Sequence, residues 1–539
     1  MPDAPPDLVP EAAGVPAPPD ALTDAPPDAL TAAKLSGSGF SLVNGVHGAR
    51  RTTIRRTWLD TFDWRLYRAG LTLEQVTGRG GTELRLTGRD GTGVAAEQFQ
   101  GAARGRAPRW PGQPDALPAG PLAERLASVV GVRALLPVAR ATSAVREQRA
   151  LNDDAKTIAR VTADQMSVTY PAAAQLPERL AVSAVRGYQA QASRLAGLLA
   201  ALPGVTTDER PALEAVLAAA GRRAGDYSGR IDVQLTAGMP AATAMASVFT
   251  TLLGMLEANV PGTISDLDTE FLHDLRVSVR RTRSALKLAG QVLPRGVRAR
   301  FQPEFKWLGD LTTPTRDLDV YLLGLPDMTA RLVGADEADL EPFGDHLRRA
   351  RGRAQRELAG GLRSARFGHL CRDWRDALDE AAATTRRRPT AEALAASSIA
   401  AVHRRVLTSG AVITAVSPPE SLHDLRKRCK ELRYLLEIFA SLHAPSVQWR
   451  AVQELKGLQD CLGEFQDTDV QRAELRAFAV QMMDERRTPA QTLLAMGEIA
   501  AGLARRQRRA RSQFAGLFAD FASPAGRARI AALTRQAVS

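Results

Sequence analysis

Cysteine, histidine and aromatic residues are all scarce in this chain: 539 residues include three cysteines, seven histidines and 5% aromatics. Cys371, Cys429 and Cys461 stand singly, without the paired spacing or neighbouring histidines of a zinc site, and are expected as small core residues. No uninterrupted apolar run reaches the roughly 18 to 20 residues that span a bilayer. The nearest, 245–260, is broken by Glu257 and reads as a core helix. A basic segment followed by an apolar one is missing at the N-terminus, so no secretory signal is expected and the cytoplasm is the expected location. The glycine clusters at 78–81 and 88–93 lack the Gly-Lys-Ser/Thr ending of a phosphate-binding loop and read as hairpin turns.

Basic charge and helical periodicity, by contrast, are abundant. The net charge is +12, and 45% hydrophobic content in 539 residues is enough for two to four domains with sizeable cores. Such a charge points to a polyanionic partner, although its arrangement says more than its sum. In the stretch 272–288, LHDLRVSVRRTRSALKL, His273, Arg276, Arg280, Arg283 and Lys287 fall within an arc of about 80° at helical spacing. Leu272, Leu275, Val279, Thr282 and Leu286 form a neighbouring apolar stripe. One side of this helix packs and the other presents charge.

The same pattern recurs 150 residues later, in LHDLRKRCKELRYLLEI, 422–438. His423, Arg426, Lys430 and Arg433 repeat the charged arc, with Lys427 beside them, and Leu422, Leu425, Cys429, Leu432 and Leu436 repeat the stripe. Without a gap, the offset also maps Glu304, Lys306, Leu308, Asp310, Asp317, Asp319 and Val320 onto Glu454, Lys456, Leu458, Asp460, Asp467, Asp469 and Val470. This register marks an internal duplication and predicts two similar helical bundles whose basic helices face each other. Further cations stand in 346–367 (Arg348, Arg349, Arg353, Arg356, Arg363, Arg366) and 503–514 (Arg505, Arg508, Arg509, Arg511), where they extend the basic surface or form solvated helix faces.

In chain order, residues 1–38 carry nine prolines and six acidic residues against the single Lys34, a composition expected to stay disordered. From 52 to 169 short alternating segments (TTIRRTWLD, LTLEQV, TELRLTG, TIARVTADQMSVT) predict antiparallel strands. A helix is expected over 122–132, a strand over 179–185, a helix over 188–202 and a short helical element at 211–220. From 237 onward only helices are expected. A repeated Asp-x-Asp (Asp317 and Asp319, Asp467 and Asp469) could hold a metal ion. On a helix, however, residues two apart diverge by about 200°, so one of each pair is expected to bond to an arginine or cap a helix.

The runs RTWLDTFDWRLYRAGLTLEQ, TELRLTG and AVREQRALNDDAKTIARVTADQMSV resemble the CYTH domain. That resemblance implies an eight-stranded antiparallel barrel holding triphosphate with inward cations, and metal with paired glutamates. The family's Glu-x-Glu-x-Lys strand should precede Arg50 and its later acidic strand should fall near 179–185, yet neither place carries the glutamates. Metal-assisted hydrolysis is therefore not expected, though Arg55, Arg56, Arg85, Arg146 and Arg160 could still hold phosphate.

The repeat carrying HDLRVSVRR and WLGDLTTPTRDLDVYL, then SLHDLRKRCKELRYLLE and LKGLQDCLGEFQDTDV, resembles the CHAD domain over 239–526. The implied fold is a pair of four-helix bundles related by pseudo-twofold symmetry, and the implied ligand is inorganic polyphosphate. The expected architecture is thus a multidomain α+β chain: a tail at 1–38, a catalytically inactive CYTH-like antiparallel barrel at 39–225, an all-α CHAD domain at 237–526 and a C-terminal tail at 527–539. The expected function is polyphosphate binding without catalysis and without a cofactor, at polyphosphate granules in a bacterial cytoplasm. Expected contacts are His273, Arg276, Arg280, Arg283, Lys287, Lys306, His423, Arg426, Lys427, Lys430, Arg433 and Lys456, with Arg348, Arg353 and Arg356 extending the surface. The alternatives are a triphosphatase acting through the barrel and a nucleic-acid binder. The second would need aromatic platforms for bases, and the basic arcs contain only Tyr434.

Overall fold

The computed structural model describes residues 21–25, 38–44, 51–99, 107–290, 292–383, 389–484 and 488–534. The chain divides between Ser228 and Gly229 into two compact units.

Alternating sequence in the first unit produces strands β1 (Ala21–Ala25), β2 (Ser41–Asn44), β3 (Thr52–Asp60), β4 (Leu71–Gly78), β5 (Gly81–Gly88) and β6 (Gly93–Phe99). They are followed by β7 (Leu136–Leu151), β8 (Thr157–Tyr170), β9 (Ala174–Gln175), β10 (Glu178–Ala184) and β11 (Thr206–Thr207). Helices α1 (Arg65–Arg68), α2 (Pro121–Val130), α3 (Gln189–Ala200) and α4 (Ala212–Ala219) interrupt them. Every pairing is antiparallel, and the order β11-β1-β10-β8-β7-β3-β4-β5-β6 makes one sheet curled as a half-barrel. Its hydrogen-bonded path stays open between β11 and β6 among the described residues, so the closed eight-stranded barrel implied by the CYTH resemblance is not formed by these strands.

Three helices bury the sheet. Leu195 and Leu199 of α3 cover Val161 and Leu180, Leu213 and Val216 of α4 cover Trp58 and Met166, and Leu122 and Leu126 of α2 cover Leu73 and Leu84. The turn after β3 is organised by Asp60, whose buried carboxylate accepts from the backbone N–H groups of Thr61 (2.7 Å), Leu66 (2.9 Å) and Tyr67 (2.9 Å). Burial pushes this carboxyl up to about 7, and the three donors oppose that shift.

The expected disordered tail at 1–38 needs one correction. Residues 21–25 form β1, which pairs with β10 from Ala21↔Val182 to Ala25↔Glu178. The backbone donors and acceptors at the edge of β10 supply a partner that composition cannot reveal. Residues 1–20 and 26–37 of that tail lie outside the described residues.

The second unit is helical: α5 (Ala241–Ile264), α6 (Thr269–Ala289), α7 (Val297–Thr329), α8 (Glu341–Leu362) and α9 (Ala365–Ala382), then α10 (Ala391–Ala411), α11 (Pro419–Ile438), α12 (Pro445–Asp484), α13 (Ala490–Phe521) and α14 (Pro524–Ala531). Shifting α5 to α8 by 150 superposes their ranges on α10 to α13, so the duplication read in sequence is a duplication of four helices. Both copies contribute to one apolar core: Phe249, Leu275, Val279 and Trp374 belong to the same cluster as Val402, Leu425, Leu432 and Leu458. A smaller cluster joins the far ends of α7, α8, α12 and α13 through Tyr321, Phe343, Leu475 and Met496. By length and composition α5 could cross a membrane, yet Phe249, Leu252 and Leu256 are buried within this core. All three cysteines are buried, and burial pushes the thiols of Cys371 and Cys429 up to about 12 and that of Cys461 up to about 11.

Both ends of the helical unit reach further than expected. At its start Ile231, Val233 and Leu235 pack on the core, and the Leu235 N–H donates to Ser441 Oγ at 3.0 Å. At its end α14 crosses the expected tail boundary at 527 and packs on α12 and α13, and Ile530 and Leu533 are buried in the shared apolar cluster. Residues 535–539 lie outside the described residues.

Trp374 is fully buried in the core among three rings, with Phe301, Phe249 and Phe305 centroids at 4.7, 5.1 and 5.4 Å. Removing the indole leaves a cavity that these rings can refill only in part. Trp374→Ala is expected to cost about 3–5 kcal/mol, measured as a lower denaturant midpoint of the helical far-UV circular dichroism signal.

Candidate functional site

Helix α6 starts cleanly because Asp268 caps it, accepting from the N–H groups of Glu270 (2.9 Å) and Phe271 (3.1 Å). Helix α11 starts with Pro419 in its first turn, where a missing N–H costs nothing. Each buries its predicted stripe: Leu272, Leu275, Val279, Thr282 and Leu286 in α6, and Leu422, Leu425, Cys429, Leu432 and Leu436 in α11. With the stripes buried in a shared core, the charged arcs are carried to one place. A pocket of about 410 Å³ opens there, lined by His273 and Arg280 from α6, by Arg426, Lys430 and Arg433 from α11, and by Gln459 and Asp460 from α12. Cations from both copies therefore line a single cavity.

Sequence reasoning missed several of its residues. Arg281 lies off the predicted arc but lines the pocket, donating to Gly229 O at 3.0 Å and to Glu437 Oε2 at 2.8 Å. Glu437 also accepts from Arg433 Nε at 2.8 Å, so one carboxylate bridges the two copies. The Arg433–Glu437 pair was visible as an i,i+4 spacing. The link to Arg281 was not, since it joins residues 156 apart. Asp274 and Tyr434 complete the lining.

Other expected contacts are placed differently. Arg276 is on the arc but turns to α7, where Nη1 donates to Thr313 Oγ1 (2.7 Å), Thr312 Oγ1 (3.1 Å) and Gly309 O (3.3 Å). Burial, together with the cations Arg280, Arg316 and Arg283, holds its pKa below the ordinary value, partly offset by Asp317. Arg283 lies over Gly309, where an added Cβ would stand 2.8 Å from Nη1, so the glycine makes room for the guanidinium. His423 is not among the pocket's lining residues; its Nδ1 shares a 2.6 Å hydrogen bond with Gln466 Oε1. Lys287, Lys306, Lys427, Lys456, Arg348, Arg353 and Arg356 are exposed and do not line the cavity. Among them Lys306 pairs with Asp310 (2.6 Å), Lys427 with Asp424 (3.2 Å) and Arg348 with Asp345 (2.7 Å). The cations remain on accessible faces because long side chains keep their charged heads in water.

Electrostatics distinguish the pocket from those faces. Lys430 is half-buried beside Arg426 and Arg280, and desolvation followed by these cations pushes its ammonium down to about 8. Burial first, and Arg316 second, also lower the pKa of His273. Arg426 retains an ion pair with Asp467 at 2.9 Å, but that carboxylate is 63% exposed and open to competition. The site is thus poised for negative charge, and an arriving anion would favour the protonated form of both groups.

The repeated Asp-x-Asp is engaged by donors. Asp319 accepts from Arg351 Nε (2.9 Å), Asp467 pairs with Arg426, and Asp469 accepts from Gln507 Nε2 (2.8 Å). Among the described residues no group of three His, Cys, Asp or Glu side chains comes together. In the first unit Arg56 pairs with both Glu74 and Asp164, Arg85 pairs with Glu83 (2.6 Å) and the exposed Arg160 with Glu147 (3.6 Å). Arg55 is exposed and Arg146 half-buried. Of the missing carboxylate sets, Glu178 is the acid nearest the second, and it is buried against Arg51 at 2.8 Å.

Residues 247–476 match the family model described as the CHAD domain. This stretch is a CHAD domain. A crystal structure of the CHAD domain from the plant Ricinus communis is 26% identical, covering 54% of this chain and 96% of its own, with a TM-score of 0.47. PptA from Streptomyces chartreusis is 19% identical, covering 52% of this chain and 99% of its own, at 0.39. A provisionally assigned adenylate cyclase from Bacillus halodurans is 8% identical, covering 30% of this chain and 87% of its own, at 0.21. No curated protein matches the chain. The matched CHAD residues include every helical residue that lines the pocket, from His273 of α6 to Gly463 of α12.

The two kinds of arginine are separable by experiment. Arg276→Ala removes three bonds from a charged donor and leaves Thr312 and Thr313 without it, so it is expected to cost about 1–3 kcal/mol of stability. Arg280→Ala, at an exposed position, is expected to leave the denaturant midpoint unchanged.

Proposed function

We propose that the CHAD domain binds inorganic polyphosphate in the pocket between α6 and α11, and that it does so without catalysis. The observation that carries this reading is the convergence of His273, Arg280, Arg426, Lys430 and Arg433, from two copies of one sequence motif, on one cavity. A flexible polyanion can meet several of these cations at once and release its counterions, which gives affinity without base-specific or covalent contacts. Arginine suits such a ligand because its planar donors pair with phosphate oxygens in a bidentate way. CHAD domains are associated with polyphosphate in general, which narrows the polyanion. Association with polyphosphate granules in the cytoplasm follows as part of the same proposal. For the first unit we propose no hydrolysis, because Glu74, Asp164 and Glu178 are paired with Arg56 and Arg51 and would have to exchange those partners for metal.

Calorimetric titration with long-chain polyphosphate at two salt concentrations, with an oligonucleotide of matched charge as competitor, tests the reading. Affinity is expected to fall steeply with salt, by a logarithmic slope of about 0.7 to 0.9 per phosphate contact, and the oligonucleotide is expected to displace little. The combined variant Arg280→Ala, Arg426→Ala, Lys430→Ala is expected to lose at least about 100-fold in affinity and to flatten the salt slope by about three contacts. Undiminished binding by that variant would move the site elsewhere.

Binding should also depend on pH in a definite direction. Lys430 loses its proton as pH rises through about 8, and a bound anion favours the charged form, so affinity falls across that range. Binding at pH 8 should take up protons, read from titrations in buffers of different ionisation enthalpy. Lys430→Arg, which keeps its charge, should remove most of the uptake.

A further inference from the structure

A second cavity lies within the first unit, at the ends of three central strands of the sheet, where β3 ends, β7 begins and β8 ends. Its volume is about 330 Å³, within the range of small-molecule sites. The walls are flat and largely apolar: the rings of Phe62, Trp64 and Tyr170, with Pro137 and Val138 between them. We propose that this pocket binds a planar aromatic ligand bearing a single acidic group.

The argument follows from which polar groups at the pocket are already satisfied. Trp64 Nε1 donates to Asp226 Oδ1 at 2.9 Å, so the indole offers the cavity its ring and no donor. Thr61 Oγ1 is spent on Asp63 at 2.7 Å. Arg222 lines the pocket with its guanidinium 5.9 Å from the Trp64 ring centre, but it is held by Asp226 through bonds of 2.7 and 2.9 Å and contributes a neutralised plate. Arg140 is different. It is exposed, it stands 5.8 Å from the Tyr170 ring centre, and among the described residues it has no carboxylate partner. It faces Tyr170 across the β7–β8 ladder, so the cation and the phenol occupy one end of the pocket.

A guest satisfying this arrangement has a flat face for the three rings and one anionic group at the Arg140 end. Offset or edge contact between rings contributes about 0.5–1.5 kcal/mol per pair beyond burial, while an unpaired guanidinium rewards one charge. A saturated acid would forfeit the ring contacts, and an uncharged aromatic would leave Arg140 unpaired. The inference concerns the first unit alone and is independent of polyphosphate binding by the CHAD domain.

The test is calorimetric titration of the full chain with 2-naphthoate, 2-naphthylmethanol and cyclohexanecarboxylate. Saturable binding of 2-naphthoate is expected, with the other two at least 10-fold weaker. Arg140→Gln should weaken 2-naphthoate at least 10-fold and leave 2-naphthylmethanol unchanged, whereas Tyr170→Ala should weaken both. The Arg280→Ala, Lys430→Ala double variant should bind 2-naphthoate as the natural chain does. Both first-unit substitutions are at exposed side chains, and an unchanged thermal unfolding midpoint would show that the unit stays folded. No saturable binding, equal affinity for the three probes, or binding insensitive to Arg140→Gln and Tyr170→Ala would overturn the proposal.

Discussion

Two arginine-rich helices lie side by side in this protein, and the Glu437 carboxylate between them is the interaction on which that arrangement depends. It accepts from Arg281 of one copy and Arg433 of the other, at 2.8 Å each. Apolar burial beneath the helices supplies the attraction, but like charges brought together in a half-buried seam would repel unless some were neutralised. Pairing two of the guanidinium groups lets Arg280, the Lys430 ammonium and Arg426, whose own partner Asp467 is exposed, stand together without driving the copies apart. Burial, and after it the crowding by Arg426 and Arg280, lowers the pKa of Lys430. The charge in the pocket is therefore compensated only in part, and cations remain exposed to an arriving anion.

Duplication made the two helices alike, and their surroundings have since made them different. Arg276 and Arg426 occupy equivalent positions. The first is drawn onto α7 by Thr312, Thr313 and the Gly309 carbonyl, while the second faces the pocket with only an exposed aspartate beside it. At the offset of 150 those three residues become Gln459, Leu462 and Gly463, which offer no matching pair of hydroxyls. The histidines diverge in the same way: His273 lines the cavity and His423 is bonded to Gln466. A pseudo-symmetric scaffold thus holds an asymmetric site. A linear polyanion does not require symmetry, only cations at reachable intervals.

The first unit follows a different logic. Charge there is mostly matched: Arg56 by Glu74 and Asp164, Arg51 by Glu178, Arg222 by Asp226. Arg56, half-buried on the sheet between two carboxylates, is costly to separate from them, which makes it part of the fold before it is a ligand. The unit's accessible chemistry is concentrated at the ends of the central strands β3, β7 and β8, where aromatic rings meet an unpaired arginine.

Much of this was legible in the sequence because it is local. Periodicity decides which side of a helix is buried, so the apolar stripes of α6 and α11, their charged arcs and the offset of 150 could be read directly, as could the strands β3, β4, β5 and β8 with their glycine turns. What crosses between elements could not. Whether an arginine on the charged arc faces the cavity or a neighbouring helix depends on the side chain opposite, and that is why Arg276 was expected in the site and Arg281 was not. The pairing of residues 21–25 with β10, in a segment whose composition argues for disorder, was likewise decided by a partner more than 150 residues away. Sequence determined the faces, since a face is set by spacing along one element. Tertiary structure decided the partners, since a hydrogen bond or ion pair is set by distance between elements, which no periodicity records.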